Sequence, residues 1–529
     1  ISIATTGKDP LRDRITSIAT CALNRHSILI DMIQPKPKDV ITLKQMLEDR
    51  TVKVFFDAKK ALNFFHAAGF EVNGPICDVM LMDKILQAGV KNKNVTIHRL
   101  IAEYLGAIIV IDSAEIPVVK EAAMLQKLYE AIFCHLAENN LLETSVLESE
   151  CIRAVAAMER NGIRVNRKKL QEMLQEFTKQ KEVYAKMTRE YLGDINLNSH
   201  KKVKEELIKK GIMVEDIRQE TLHPHIFPHL YLWDYQIYKK FRYYRSQAAG
   251  LLARIDSGTG RIYPKYSQIG APNGRLSCSD PNLHAIPRTE EFRSCFIPDD
   301  GCKLIIADYS QIELRIVAEI SHDERMVDAY KKGDDLHKLT ASLITGRPMD
   351  RVSKDDCLMA EVVNYGLIYK MDAEELREFS VNNYGVSISL QEAQQFISVF
   401  FSAYKGIPPW HEQVDFYSYG ETRTLGNRRR IWNGYYINTT DLLKTTIQGT
   451  TADILKRALY ILHERIKNTG IRIIGCIHRE ILMEAPINET DAATQIIRNA
   501  MIEAAQHYLK EIPVVVDVSV VNNWYEKQG

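Results

Sequence analysis

Residues 304–315 read LIIADYSQIELR, and this stretch carries more structural information than any other part of the chain. The apolar run predicts a buried strand, which ends in the carboxylate of Asp308, and Glu313 follows five residues later. An acidic residue in this place is either a cap at the end of a strand or a functional group carried into a site. Asp308 is therefore the first candidate site residue.

The composition is that of a globular protein with several domains. Its 529 residues suffice for roughly three or four domain-sized units, and the apolar and charged contents of 45% and 26% are ordinary. Because the net charge is only +1, any nucleic-acid surface must come from local clusters of basic residues. No run of about eighteen apolar residues is present, so we expect no contact with a membrane.

Nine scattered cysteines, without a CxxC pair, predict a reducing intracellular compartment and no structural zinc. Cytoplasm, nucleoid and organelle matrix are all compatible with this pattern. The chain starts at Ile1 in a strand-like segment without a methionine, which is compatible with a missing upstream segment and leaves targeting open.

Hydrophobic periodicity divides the chain into segments. Residues 15–33 are predicted to form paired strands, and residues 43–70 and 83–105 to form helices of a small α/β core. A long amphipathic stretch covers 147–193, and a basic stretch with interleaved tyrosines, typical of phosphate contact or of a solvated surface, covers 201–245. Residues 320–430 are predicted to be mostly helical, with strands returning at 470–484 and 513–521.

Seven short motifs occur in a fixed order along the chain. They are GRLS at 274–277 with PNLHAIP at 281–287, DYSQIELR at 308–315, DLH at 335–337, NYGLIY at 364–369, TLGNRRR at 424–430, QGTTAD at 448–453, and IHRE at 477–480. In sequence and order they resemble the family A DNA polymerases, the bacterial DNA polymerase I type. The resemblance implies a multidomain α/β and α+β fold, with a ribonuclease H-like exonuclease domain followed by a right-hand polymerase.

The resemblance implies a role for each matched position. Asp308 would hold two magnesium ions against a triphosphate, together with a second carboxylate from a His-Asp-Glu triplet in the family. Positions on the fingers helix, spaced by four residues, and two nearby positions would meet the nucleotide: Cys357, Glu361, Tyr365, Tyr369, Glu313 and His337. The residues implied to hold the primer–template end are Arg275, Gln448, His478 and Arg429.

Three of these positions depart from the family pattern. Arg479 stands where the triplet has its aspartate, with Glu480 retained after it, and Glu361 and Cys357 replace a lysine and an arginine that meet the triphosphate. At about 4 Å and an effective dielectric constant of ~20, one pair of unit charges is worth roughly 4 kcal/mol. We therefore predict an ion pair of Arg479 with Asp308, no bound metal and an inactive polymerase centre.

The N-terminal residues 1–7, ISIATTG, resemble the first strand of a proofreading exonuclease, whose pattern is Asp-x-Glu-Thr-Thr-Gly. Ser2 and Ala4 occupy the two carboxylate positions. Asp57 is retained at the second element, where it also fits the start of a helix, and Phe133 stands where the third element is expected to have an aspartate. One carboxylate of four is too few for two metals, so this domain is predicted to be inactive.

These interpretations define five expected domains. They are an exonuclease-like domain at 1–146, a thumb-like helical domain at 147–270, the first part of the palm at 271–330, fingers at 331–430, and the second part of the palm at 431–529.

The leading hypothesis is a degenerate polymerase that serves as a non-catalytic nucleic-acid-binding or scaffolding subunit of a replication or transcription assembly. Its expected partners are primed DNA or an RNA–DNA hybrid and other proteins, and no cofactor is expected. One alternative is an active DNA polymerase that binds Mg²⁺ in another arrangement through Asp308, Glu313 and Glu480. The other is a purely structural interaction protein.

Overall fold

Short strands recur along the whole chain between longer helices. The computed structural model describes residues 1–22, 27–90, 95–106, 117–417, 420–432 and 437–528. Parts of the predicted segments 15–33 and 83–105, and small parts of the predicted exonuclease-like, fingers and palm segments, lie outside the described residues.

The strands are β1 (Ser2–Thr5), β2 (Ile15–Cys21), β3 (Ser27–Asp31), β4 (Lys53–Phe55), β5 (Ile76–Asp78), β6 (Ile163–Val165), β7 (Arg261–Ile262), β8 (Lys265–Ser267), β9 (Ser277–Ser279), β10 (Phe296–Ile297), β11 (Cys302–Tyr309), β12 (Glu421–Arg423), β13 (Arg429–Ile431), β14 (Arg472–Ile477), β15 (Glu480–Pro486) and β16 (Val516–Val521).

The helices of the first half are α1 (Pro37–Glu48), α2 (Ala58–Ala67), α3 (Val79–Gln87), α4 (Ile97–Leu105), α5 (Val118–Glu138), α6 (Leu142–Asn161), α7 (Arg167–Leu192), α8 (His200–Lys209), α9 (Gln219–Ile226), α10 (Tyr231–Leu252) and α11 (Glu290–Arg293). Those of the second half are α12 (Ile312–Ser321), α13 (Glu324–Lys332), α14 (Leu336–Thr345), α15 (Lys354–Leu367), α16 (Ala373–Tyr384), α17 (Leu390–Ala403), α18 (Ile407–Tyr417), α19 (Thr439–Arg465) and α20 (Thr490–Gln506). None of the helices in the described ranges is both long and apolar enough to cross a membrane.

The chain forms two compact units. The first contains Ile1–Asn161, Tyr266–Cys278 and Ile305–Ser519, and the second contains Gly162–Lys265, Ser279–Leu304 and Val520–Gly529. The sequence predicts a domain boundary at 146/147, but helix α6 runs through that point and ends at Asn161. Gly162 then has a φ of 56°, and a Cβ at this position would collide with the carbonyl of Ile262, so the chain turns there.

Two sheets of the first unit match the strand predictions. In the N-terminal segment, β1, β2 and β3 form an antiparallel sheet in which Ser17 faces Asp31, which confirms the paired strands at 15–33. Further along the chain, β14, β15, β11 and β16 lie side by side in that order, and β14 pairs antiparallel with β15. This second sheet places the end of β11 next to the β14–β15 turn.

The predicted helices at 43–70 and 83–105 are each interrupted. Strand β4 separates α1 from α2 and pairs in parallel with β5, while α3 ends at Gln87 and α4 begins at Ile97. In β4, Lys53 and Phe55 are buried and Val54 between them is partly buried, so a short strand prevails over the helical pattern.

One buried carboxylate caps two of these helices. Asp78 accepts hydrogen bonds from the backbone N–H of Met80 (2.9 Å) and Leu81 (3.4 Å) at the start of α3. It also accepts from the N–H of Asp57 (3.2 Å) and Ala58 (2.8 Å) at the start of α2. A single side chain therefore satisfies donors that both helix termini would otherwise bury without partners.

Replacing Asp78 with alanine is expected to lower the free energy of unfolding by about 2–3 kcal/mol, because buried N–H groups lose their acceptor. Thr96→Ala is the matched control, since Thr96 is an exposed cap whose side chain accepts one hydrogen bond, from the N–H of Arg99. Its expected loss is about 1 kcal/mol or less. Urea denaturation of both variants measures the difference, and equal losses would contradict the double-capping role.

Four buried charged side chains join α6 to the C-terminal part of the first unit. Glu148 of α6 pairs with Arg428 at 2.5 Å and with Lys456 of α19, and Arg428 also pairs with Asp453 at 2.7 Å. All four side chains are at most 5% exposed. Two anions and two cations balance in this buried charge cluster, as burial of ionised groups requires.

Candidate functional site

Asp308 and Arg479 meet where two strand ends of the second sheet lie together. Asp308 is the penultimate residue of β11, and Arg479 occupies the β14–β15 turn after His478, whose φ is 56°. Nε of Arg479 lies 3.2 Å from Oδ1 of Asp308. The ion pair predicted from the sequence is therefore confirmed.

The same guanidinium reaches helix α15. Nη1 of Arg479 donates a hydrogen bond to the hydroxyl of Tyr365 on α15 at 3.3 Å. Burial alone would lower the pKa of Arg479, but the neighbouring Tyr365, Asp308 and Glu313 raise it well above its usual value. Arg479 therefore stays charged at any physiological pH, and it connects β11 to α15.

Helix α15 starts with a capping box in which Ser353 and Asp356 exchange hydrogen bonds. Its regular turns place Cys357, Glu361 and Tyr365 above one another, as their four-residue spacing predicts. Tyr369, expected on the same face of the helix, lies beyond the end of α15 at Leu367.

Neither of the first two residues on this face provides a cation. Glu361 is partly buried and accepts a hydrogen bond from Tyr384 at 3.4 Å. Burial raises the pKa of Cys357, and the nearby Asp335 raises it further, which favours the neutral thiol. A polyanion placed against this face would meet a carboxylate and a thiol.

His337 lies against the same helix. Its ring is 5.6 Å from that of Tyr365, and its Nδ1 is 3.0 Å from the side-chain nitrogen of Asn364. Burial lowers the pKa of His337, so that the neutral imidazole predominates at neutral pH. It therefore adds no positive charge to the site.

A hydrogen-bonded network lies beside the ion pair. Glu313, in the first turn of α12, accepts from the Arg275 guanidinium at 3.1 Å and from the Tyr369 hydroxyl at 2.7 Å. The Gln448 side chain donates to the same hydroxyl at 3.2 Å. The structure thus brings together four residues that the sequence analysis singled out, from four separate segments.

Two further candidates have different placements. Glu480 begins β15 and is 8% exposed, directly after the Arg479 turn. Arg429, predicted to contact the primer–template, instead donates to the Asn139 side chain at 2.6 Å and to the carbonyl of Leu86 at 3.2 Å. The structure does not bring Arg429 to the network, because β13 directs this side chain toward the N-terminal segment.

The carboxylates of this site do not fit a pair of divalent cations. Asp308 is paired with Arg479, and Glu313 is already engaged by Arg275 and Tyr369. Within the described ranges, no three His, Cys, Asp or Glu side chains are grouped closely enough to hold a metal ion. A two-metal centre needs bridging carboxylates, and the Asp308 carboxylate is here paired with a guanidinium.

The exonuclease-like positions are only partly brought together. Ser2 and Ala4 lie on β1, and Asp57 caps α2 by accepting from the N–H of Lys60 at 3.3 Å. Phe133 on α5 is 41% exposed, and it lies twelve residues, or roughly 18 Å along the helix, beyond Glu121. Glu121 of α5 neighbours Ser2. Burial raises the pKa of Glu121 overall, although the contact with Ser2 lowers it in part.

Glu121, and not Phe133, is therefore the residue that lies beside Ser2. The sequence prediction missed Glu121 because the third element was expected near Tyr129, with an aspartate four residues later. The signal that could have found it is an acidic residue in the first turn of α5.

Comparisons with known proteins agree with the fold. The family model for DNA polymerase family A matches residues 167–526. DNA polymerase I of Aquifex aeolicus is 33% identical over 398 residues, which cover 72% of this chain and 67% of that protein. DNA polymerase I of Caldicellulosiruptor bescii is 30% identical over 525 residues, which cover 92% of this chain and 59% of that protein. The chain thus spans about three fifths to two thirds of these relatives.

A solved structure gives the same result for the three-dimensional arrangement. The POL domain of Pol1 from M. smegmatis, in complex with DNA primer-template and dNTP, superposes with a TM-score of 0.89 at 26% identity. The match covers 98% of this chain and 94% of that one. Because the family model also covers more than half of its length, this chain belongs to the family A DNA polymerases.

Proposed function

We propose that this chain binds primed nucleic acid through a family A polymerase fold but does not carry out nucleotidyl transfer. The observation that carries this proposal is the position of Arg479, which pairs with Asp308 and contacts Tyr365. A fixed cation thereby occupies the position where the family pattern calls for a second metal-binding carboxylate.

Electrostatics opposes a divalent cation at this place. Asp308 is 22% exposed and already neutralised by a guanidinium at 3.2 Å. A dication that enters must displace Arg479 from Asp308 and from the Tyr365 hydroxyl, and then remain near its positive charge. Even when solvent screening is allowed for, this repulsion exceeds the roughly 1.4 kcal/mol that corresponds to a tenfold change in binding.

The nucleotide-binding face supports the same conclusion. Glu361 and Cys357 offer a triphosphate no cation, and Glu361 adds a negative charge. The alternative of an active enzyme would need Glu313 and Glu480 to hold metal with Asp308. The two hydrogen bonds that Glu313 accepts from Arg275 and Tyr369 argue against that arrangement.

The proposal extends to the domains and the N-terminal segment. The segment 1–146 is proposed to be an inactive exonuclease-like domain of the ribonuclease H-like class, in which Ser2 and Ala4 replace two carboxylates. The antiparallel β1–β3 sheet and the parallel β4–β5 pair are compatible with this class. The thumb-like domain is proposed to begin at Gly162 instead of 147, and the palm and fingers segments to keep their predicted bounds.

Retained polar residues support binding of nucleic acid without catalysis. Arg275 and Gln448 persist at the primer–template positions, and the M. smegmatis POL domain was solved with a DNA primer-template. A non-catalytic subunit of a replication or transcription assembly, with protein partners, is the role that this combination supports best. The nine cysteines, all within the described residues, form no disulfide, which supports an intracellular, reducing compartment.

Purified protein mixed with a primed template, dNTPs and either Mg²⁺ or Mn²⁺ is expected to give no primer extension. The same protein is expected to bind the primed template, with an affinity that falls steeply with salt because phosphate contacts release counterions. Fluorescence anisotropy at several salt concentrations measures the binding, and a gel assay measures extension. Extension that exceeds a no-protein control would overturn the catalytic half of the proposal, and the absence of binding would overturn the other half.

A further inference from the structure

The junction between α9 and α10, in the second unit, exposes an unusual group of large apolar side chains. Phe227 is 92% exposed, Leu230 is 72% exposed, and Trp233 is 57% exposed. An aromatic side chain typically buries roughly 150–250 Å² when it packs, so nearly all of that area of Phe227 remains in water. Contiguous exposed apolar patches of this kind mark interaction surfaces.

The patch is a well-formed surface on a packed core. Leu232 and Tyr235, on the opposite side of α10, are almost completely buried in the small core of the second unit. Backbone hydrogen bonds close the turn, because the N–H of Leu232 donates to His229 and that of Trp233 donates to Leu230, both at 2.9 Å. The backbone that carries Leu230 and Trp233 is therefore fixed on this core.

Further aromatic rings adjoin the patch. Tyr191 of α7 is 51% exposed and stacks on Tyr231 with a centroid distance of 5.1 Å and an interplanar angle of 16°. The His229 ring lies 5.8 Å from the same Tyr231 ring. His229 and Tyr231, which flank Leu230 in the sequence, thus form an aromatic cluster with Tyr191.

The charge around the patch favours one kind of partner. Residues 199–245 contain ten lysines and arginines against six aspartates and glutamates, whereas the whole chain is nearly neutral. Lys240 lies two helical turns after Trp233 on the same face of α10, it is exposed, and its Nζ is 5.4 Å from the Tyr244 ring. Aromatic platforms together with basic residues are the combination that binds unpaired bases and their phosphates.

We propose that this α9–α10 surface binds single-stranded nucleic acid, with bases stacked on Phe227 and Trp233 and phosphates near Lys240. The surface belongs to the second unit alone, so it needs neither Asp308 nor Arg479. It extends the proposed nucleic-acid role to a second site, which would hold an unpaired strand while the polymerase fold holds primed duplex.

Substitution of the exposed aromatic residues tests this directly. Full-length Phe227→Ala/Trp233→Ala protein is expected to bind fluorescein-labelled oligo(dT) of about 16 nucleotides roughly tenfold or more weakly than the unmodified chain. Its affinity for a blunt-ended duplex, which has no unpaired strand, should be unchanged. The matched control is Ile33→Ala/Ile41→Ala, which removes two side chains that are about 60% exposed in the first unit, and it should bind both probes normally.

Trp233 also provides a direct readout of stacking. It is the most exposed of the four tryptophans, so its emission should be accessible to iodide in the free protein. Oligo(dT) is expected to quench this emission and to protect it from iodide. Trp233→Phe, which keeps an aromatic platform, should retain most of the affinity and lose the fluorescence signal.

Several results would overturn the inference. Unchanged oligo(dT) binding by the double alanine variant, or unchanged iodide access to Trp233, would exclude stacking at this surface. Concentration-dependent self-association in sedimentation that the double variant abolishes would instead identify a protein-contact surface. If the unmodified chain binds primed duplex but not oligo(dT), this inference fails and the proposed function stands. If Trp233-dependent oligo(dT) binding occurs without duplex binding, the proposed function fails and this inference stands.

Discussion

Glu148→Ala is expected to lower the free energy of unfolding of the first unit by about 3–5 kcal/mol, the usual effect of removing one partner from a buried ion pair. Glu148 accepts from both Arg428 and Lys456, and both cations are essentially inaccessible to solvent. Without Glu148, the buried charge cluster keeps two cations against Asp453 alone. The excess positive charge then lies in a region that water does not reach.

Urea denaturation followed by circular dichroism measures this change. Glu464→Ala is the matched control, because Glu464 forms an ion pair with Lys467 at 2.7 Å in which both side chains are roughly half exposed. Exposed pairs contribute about 1 kcal/mol or less, so the control should be nearly silent. Similar losses in the two variants would show that the buried charge cluster does not act as the contacts suggest.

The free energy of unfolding should depend differently on pH in the unmodified chain and in the Glu148→Ala variant. In the unmodified chain, burial raises the pKa of Glu148, but Lys456 and Arg428 outweigh burial and lower the pKa overall. The stability that ionised Glu148 contributes is fully present above the pKa of about 4.3 that a glutamate has in the unfolded chain. It is lost as the pH falls through the lower pKa of Glu148 in the folded chain.

In the unmodified chain, Glu148 raises the pKa of Lys456 and so opposes the lowering by burial. In the variant this opposition is lost, so the pKa of Lys456 falls further below the usual lysine value. The unfolded variant then binds more protons than the folded one at neutral and mildly basic pH. The stability deficit should therefore shrink as the pH rises toward 10.

Arg479→Asp combined with Glu361→Lys is expected to bind Mg²⁺–dATP roughly a hundredfold more tightly than the unmodified chain. The double change places a second carboxylate beside Asp308 and a cation on the face of α15 that is proposed to meet the triphosphate. Each substitution alters the local charge by two units while the net charge of the chain stays the same. After screening of the partly exposed side chains, about 2–3 kcal/mol of binding free energy is a reasonable gain.

Isothermal titration calorimetry with a non-hydrolysable Mg²⁺–dATP analogue measures the gain. Glu374→Lys/Arg377→Asp is the matched control, because it inverts an exposed ion pair on α16 and has the same composition of charges as the test variant. It should bind as weakly as the unmodified chain. If all three proteins bind the nucleotide equally, Arg479 and Glu361 are not what excludes it.

Much of the fold could be predicted because its signals are local. The LIIAD run, the four-residue spacing of Cys357, Glu361 and Tyr365 on α15 and the strand character of 470–484 each describe neighbouring residues, and the structure reproduces all three. The failures were also local in origin. A helical pattern at 43–70 concealed strand β4, and the predicted boundary at 146/147 fell inside α6. A pattern of neighbouring residues does not show which other segments of the chain pack against it.

The candidate site was likewise predictable from the sequence only in part. Comparison of the motifs identified Asp308, Arg479, Glu361 and Cys357, and opposite charges at matched positions were enough to predict the ion pair. Arg429 could not be placed in this way, because its contacts with Asn139 and Leu86 join segments that are about three hundred residues apart.

By itself, the sequence determined the family to which the chain belongs and the chemical groups present at each motif position, since both follow from residue identity and order. The tertiary structure alone decided which of these groups touch. It placed Tyr365 on the Arg479 guanidinium, Glu121 instead of Phe133 beside Ser2, and Phe227 and Trp233 in solvent. Contacts between distant segments depend on how whole elements pack, and exposure depends on every element that could have covered a side chain, so neither is contained in a local pattern.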